Sequence, residues 1–268
     1  MDPMAEMFYS LSPYSWAGGN PLRYVDPTGM VIEDGSKKEW DKQKGNVESR
    51  RDNLQGRMDK LSAKAEAKGW SAEKLASKTG NLTERVSSLT GSLKTMGTLE
   101  GSSQVYSLQK VTGSEGGTTY DSKTGNVVIG FGSTANFVHE TTHAGQFESG
   151  DIAFDTKSGQ SLGQDVHDEV AGYKAQFAYD PSSVSQLPAS SVANSFGAIT
   201  PSWVQGVTGA DGSKIYAPGG SSNTGMSPVN INTNRNGLMQ AYPHIQGLGN
   251  FPSNYTLKSR PGTYYKRP

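Results

Sequence analysis

An α+β fold is predicted for this chain of 268 residues, and three observations predict it. Two long apolar stripes at helical spacing lie between residues 36 and 94. A short stretch of alternating and continuous apolar residues follows at 104–131, where the period changes to two. Two further helical patterns, 133–148 and 164–180, come next, before a tail rich in Ser, Gly, Asn and Pro. The expected order is a junction segment (1–35), a helical hairpin (36–100), a sheet-and-helix domain (101–218) and a loop-rich basic tail (219–268).

The hairpin rests on matching steps. Val47, Leu54, Met58, Leu61 and Ala65 form one stripe, and Leu75, Leu82, Val86, Leu89 and Leu93 form the other. Between them, Gly69 suits a helix end, and Ser71 with Glu73 suits a helix start. A packing or spacer role is the expectation for such a hairpin. In 104–131, "SKTG" reads as a turn between antiparallel strands, and "NVVIGFG" reads as an edge strand running into the helix that follows it. "PSWVQGV" allows one short helix, and the end of the tail reads as extended coil.

Composition removes several function classes. With 25 Lys+Arg against 25 Asp+Glu, no global field draws the chain to nucleic acid or to a membrane surface. The charge is uneven, however. Residues 101–180 hold four basic and ten acidic side chains, and residues 181–268 hold six basic and one acidic. An acidic middle and a basic tail are expected to attract each other, and the tail could lie over the site. There is no cysteine, which excludes disulfides, thiol nucleophiles and Cys-type metal sites. No apolar run is long enough to insert into a bilayer, and no signal region is apparent, so export would need dedicated machinery.

The chemistry concentrates in "FVHETTHAGQ". On a helix, His139 and His143 project from one face a turn apart and can share one ion. Zinc needs such nitrogen donors, a third protein ligand and one open position for water. Glu140 lies beside the pair, where it can take a proton from that water. With four histidines and twelve glutamates in the chain, this spelling arises by chance roughly 0.003 times. The third ligand must sit at the edge of the second helix's packed face, the stripe Val166, Val170, Tyr173 and Phe177. Glu169 lies about 70° to one side of that stripe and His167 about 90° to the other, while Asp168 points away. Glu169 is favoured, and His167 is the alternative. Tyr173, one turn beyond Glu169, could stabilise an oxyanion or simply pack in the core. Gln146 and Gln176 could orient the ligands. Asp151, Asp155 and Asp165 could do likewise, or serve as caps and turns. His244 reads as a surface histidine.

"HETTHAGQ" followed by "DEVAGYKAQ" resembles the glutamate-zincin metallopeptidases, and in particular metallopeptidase domains at the C-terminal tips of bacterial polymorphic toxins. The similarity covers about residues 125–180 and departs at Gly145 and Gly172. It implies a zincin-like helix pair with Zn2+ held by His139, His143 and Glu169, and Glu140 as base. "SPYSWAGGNPLRYVDPTGM" resembles the end of the Rhs-repeat core, which closes a shell around a C-terminal toxin. Asp2 and Asp26 match aspartates implicated in that family's self-cleavage. Met30 replaces the usual leucine and the expected preceding arginine is absent, so cleavage after Met30 is not expected. Together the resemblances imply an effector of interbacterial competition. It would be delivered into target cells by a secretion apparatus, act on a protein or peptide, and be neutralised by a cognate immunity protein. The alternatives are a non-catalytic zincin-fold interaction module and a zinc hydrolase acting on peptidoglycan peptides.

Overall fold

A computed structural model of the chain describes residues 32–113, 116–209, 211–217 and 225–266. The junction residues Asp2, Asp26 and Met30 lie outside them. Among the described residues the fold is α+β, with seven α-helices and two three-stranded sheets. Residues 31–268 form one compact unit that takes in hairpin, sheet region and tail together.

The hairpin forms as its stripes require. Helix α1 (Asp34–Lys68) ends at Gly69, whose φ of 58° lets its N–H turn back to the helix carbonyls. Helix α2 (Ala72–Glu100) starts at Ser71, whose side chain accepts from Lys74 N. Trp40, Val47, Leu54, Leu89, Met96 and Leu99 are fully buried. They join the main core with Tyr106, Phe137, Phe147 and Phe154. The hairpin is more than a spacer, because two of its arginines hold the helix that carries Glu169. Arg50 Nε donates to Tyr179 O (2.9 Å), and Arg85 donates to Ala178 O (2.9 Å) and Tyr179 O (3.1 Å). These are last-turn carbonyls, where positive charge is favourable. Arg85 is buried there, and burial pulls its pKa down to about 10.

Three strands follow: β1 (Tyr106–Lys110), β2 (Gly117–Asp121) and β3 (Asn126–Phe131). Strands β2 and β3 form the antiparallel hairpin that "SKTG" predicts, with Asp121 opposite Asn126. Two expectations are corrected. Strand β1 pairs parallel to β3, and β3 is the central strand of the order β1-β3-β2. A continuous apolar run suits a strand buried on both faces better than an edge, and β3 is buried at five of its six positions. The edge strand near the site is therefore β2.

Helix α3 (Thr134–Ser149) leaves β3 through an N-cap at Ser133 and ends at Gly150, φ 77°. Helix α4 (Val166–Tyr179) begins with a capping box made by Asp165 and Asp168. It packs closely on α3 and carries a second apolar cluster with Trp203 and Val204 of the short helix α6 (Pro201–Val204), beyond α5 (Ser182–Ser185). The short helix expected in "PSWVQGV" is thus present.

The loop-rich tail is ordered, and its end, expected as extended coil, makes a 3-10 turn at Leu257–Ser259 and a strand. The tail forms α7 (Arg235–Ala241) and a third small core around Val229, Leu238, Tyr242, Tyr255 and Leu257. Strand β6 (Thr263–Tyr264) then joins β4 (Ala153–Asp155) and β5 (Ser161–Leu162) in the order β5-β4-β6. The charge imbalance is realised as specific pairs: Arg260 with Asp155 at 2.7 Å and Lys266 with Glu148 at 3.2 Å. No helix among the described residues is long and apolar enough to cross a membrane.

Candidate metal centre

His139 and His143 project from the buried face of α3, and Glu169 meets them from the first turn of α4. All three are within 5 % of full burial. His139 Nε2 lies 3.4 Å from Glu169 Oε2, and His143 Nε2 lies 3.6 Å from Glu169 Oε1. One ligand atom from each residue falls within 4.8 Å of the other two, so this group could hold a metal ion. His167 is exposed on the far side of the α4 N-terminus, which removes it as a rival ligand. Asp168 is buried rather than pointing to solvent, but its carboxylate accepts from Asp165 N at 2.8 Å and belongs to the helix cap.

The hydrogen bonds around the histidines fix which nitrogens face inward. Gln176 Nε2 donates to Ser183 O (3.3 Å), so its Oε1 is the atom 3.0 Å from His139 Nδ1. Gln146 Nε2 likewise donates to Asp168 O (3.3 Å), and its Oε1 sits 2.7 Å from His143 Nδ1. A carbonyl oxygen only accepts, so both histidines carry their proton on Nδ1. Both Nε2 lone pairs therefore point at a carboxylate. Gln164 Nε2 occupies Glu169 Oε1 at 2.5 Å, and Ser161 Oγ donates to the other end of that amide. Glu169 Oε2 is buried without a hydrogen-bond partner among the described residues. Three acceptors converge, and the amide beside them, Gln164 Nε2, is given to Glu169 Oε1 and lies only 3.5 Å from His143 Nε2; a cation relieves the arrangement. The titration of the pair has the same cause. Burial opposes a charged His139, but Glu169 and Glu140 outweigh it and raise its pKa. Burial opposes a charged Glu169 too, but His143 and His139 hold its pKa low.

Glu140 sits beside the cluster at the edge of α3. Asn136 Nδ2 donates to its Oε1 (3.3 Å), and Thr118 Oγ1 of β2 lies 3.1 Å from its Oε2. Asn136 Oδ1 accepts from Gly132 N (3.1 Å), which sets the orientation of that amide. Tyr173 packs its ring edge-on against His139, with centroids 4.7 Å apart, and its hydroxyl meets Tyr216 OH at 2.9 Å. Burial raises the pKa of both phenols. Tyr216, not Tyr173, lines the open cleft.

Both glycines at which the motif departs from the family pattern face close contacts. A Cβ on Gly172 would lie 2.7 Å from His139 Nε2, and one on Gly145 would lie 2.6 Å from Thr95 Cγ2 of α2. The first makes room for a ligand and the second for helix packing.

The cluster opens into a cleft of about 550 Å³. Gly116 to Thr119 of the β2 edge form one side of it, and tail residues from Leu238 to Leu257 form another. The tail is a wall of the cleft rather than a plug. His244 is not among the lining residues; both of its ring nitrogens are buried without a partner among the described residues. Asp151, Asp155 and Asp165 act as turn and cap acceptors. Sequence reasoning missed Gln164, Tyr216 and Thr118. Asn136, four residues before Glu140 on the same helix, was the one supporting residue that spacing could have flagged. No family model, curated protein or solved structure matches this chain.

Proposed function

We propose that this protein is a zinc-dependent metallopeptidase that acts as an effector, hydrolysing peptide bonds of a protein or peptide in a target cell. One observation carries the reading. Two Nε2 lone pairs and a bare carboxylate oxygen converge next to a second, separately held carboxylate, at the head of a cleft bordered by the edge strand β2. His139, His143 and Glu169 would hold the ion, and a two-nitrogen, one-carboxylate donor set suits zinc. The ion supplies Lewis acidity that activates water and polarises a carbonyl.

The remaining work falls to side chains of this chain. Glu140 accepts a proton from the attacking water and returns it to the departing amine. Asn136 donates to the carboxylate, and the Thr118 hydroxyl, 2.9 Å from Glu140 O and 3.1 Å from Oε2, ties the residue to β2 for both transfers. Tyr216, backed by Tyr173, is the cleft hydroxyl placed to donate to the developing oxyanion. The backbone of β2 is placed to align an extended substrate. Tyr120 N donates outward to Gly159 O, and the two-residue period turns the Thr118 N–H and C=O outward as well, beside the cleft. The target-cell setting, the immunity protein and the Rhs shell follow from the junction resemblance and are part of the proposal.

The test compares purified wild type with Glu140→Gln. Both are expected to retain one zinc per chain by elemental analysis. Only the wild type should generate new peptide ends in a protein extract, with a loss of about 10²–10⁴ in kcat/KM for the variant. A fully active variant, or a wild type that takes up no metal, would sink the reading.

A further inference from the structure

The walls of the cleft indicate what kind of peptide it takes. Apart from the metal group and Glu140, no lining residue among those described is charged; neither lysine nor arginine is present. Away from the metal position, a carboxylate on the walls of this cleft would find no compensating cation, and a desolvated anion without a partner is strongly disfavoured. One wall is instead apolar: Leu162, Leu238, Tyr242, Ile245, Leu248 and Leu257. Five of these belong to the small core of the tail (Leu238, Tyr242, Leu257) or pack on it (Leu162, Leu248), so the wall is a fixed surface and not a loose flap. Tyr242 OH also donates to Gln164 O at 2.7 Å, tying this wall to the residue that holds Glu169. Apart from Leu162, the wall comes from outside residues 125–180, which carry the zincin-like similarity.

We infer that the cleft selects a polypeptide segment with a large aliphatic or aromatic side chain beside the bond to be cut, and rejects free C-termini and acidic peptides. Exopeptidase recognition of a free C-terminus needs a cation for its carboxylate, and no lining residue supplies one. The same lack disfavours carboxylate-rich cell-wall stem peptides. The extended backbone pairs along Gly116–Thr119 while the apolar side chain lies against the tail wall. The identity of the scissile bond rests on the peptidase reading; the binding preference does not.

The experiment separates the two. Zinc-loaded full-length Glu140→Gln protein is titrated with fluorescent peptides blocked at both ends, with Leu or Glu at the centre, and with the Leu peptide left as a free C-terminal acid. The Leu peptide should bind at least about tenfold more tightly than the Glu peptide, the range one apolar pocket supplies. Freeing the carboxylate should not tighten binding. Ile245 is 41 % exposed on the wall, so Ile245→Lys in the same background should fold normally. It should narrow the Leu-over-Glu ratio by about tenfold. Equal or tighter binding of the Glu or free-acid peptide, absence of any binding, or an unmoved ratio in Ile245→Lys overturns the inference. Wild-type cleavage of the same Leu peptide is read in parallel by mass spectrometry. Cleavage without apolar preference defeats the inference and leaves the peptidase reading standing. Apolar preference without cleavage supports the inference and defeats the peptidase reading.

Discussion

The α3–α4 pair and the tail from residue 225 onward line the same cleft, yet they are built on opposite principles. The helix pair places polar groups inside and satisfies nearly every one of them: each histidine has its glutamine, and Glu140 has Asn136 and Thr118. The tail has little regular structure and contributes scattered apolar side chains that close on one another. Chemistry that depends on sub-ångström placement is carried by periodic elements, where spacing fixes direction. The tail supplies shape, for which a fixed surface is enough.

The largest effect that would break this contrast comes from cutting the tail. Ending the chain after Phe251 removes Tyr255 and Leu257 from the third core, β6 from its sheet, and the Arg260 and Lys266 ion pairs. Burial of the two core side chains alone contributes about 2 kcal/mol each. For a chain of this size that corresponds to a fall in thermal midpoint of roughly 10 °C or more. Circular-dichroism melts should show that fall, together with loss of the peptide preference. A truncated chain with an unchanged midpoint and faster hydrolysis of small peptides would instead make the tail a removable cover.

A smaller change sharpens the contrast from the other side. Gly172→Ala places a methyl group 2.7 Å from His139 Nε2, while Gln176 holds the far side of that ring. The ring must tilt away from Glu169. Zinc affinity, read by competition with a chromogenic chelator, should fall by about 10- to 100-fold. Gly145→Ala is the matched control, since its methyl group meets Thr95 and no ligand. It should lower the thermal midpoint and leave metal affinity unchanged. Equal metal affinity in wild type and Gly172→Ala would mean that the site tolerates a displaced ring and is looser than its hydrogen bonds suggest.

How much of this could be read from sequence follows the same division. The hairpin, both site helices, Glu169 and the two supporting glutamines were legible, because each is a statement about residues three, four or seven apart on one helix. The parallel pairing of β1 was not, because a short strand's apolar pattern does not record its direction. Gln164 and Tyr216 reach Glu169 and Tyr173 from irregular segments, and Thr118 reaches Glu140 from a neighbouring strand 22 residues away. No period links such pairs. The tail was legible only through its charge. Its excess of basic residues correctly foretold attraction to the acidic region, but its Ser, Gly, Asn and Pro content concealed a core made of irregularly spaced Val229, Leu238, Tyr242 and Leu257.

That attraction gives the smallest testable effect. Asp155 accepts from Ser158 N and Lys157 N, each at 2.9 Å, and from Arg260 at 2.7 Å. The turn amides, chiefly Ser158, and then Arg260 hold its pKa well below the usual carboxylate range. A depressed folded-state pKa means that the stabilisation is fully present above the unfolded value of about 4 and fades as pH falls below it. Asp155→Asn keeps a side-chain oxygen for the turn but loses the charge. Its thermal midpoint should lie a few degrees below that of the wild type at pH 7, and the gap should close as both are acidified from about pH 4 towards pH 2. A gap that stays constant across that range would assign the loss to packing, and the tail would then be held by shape alone, without help from its charge.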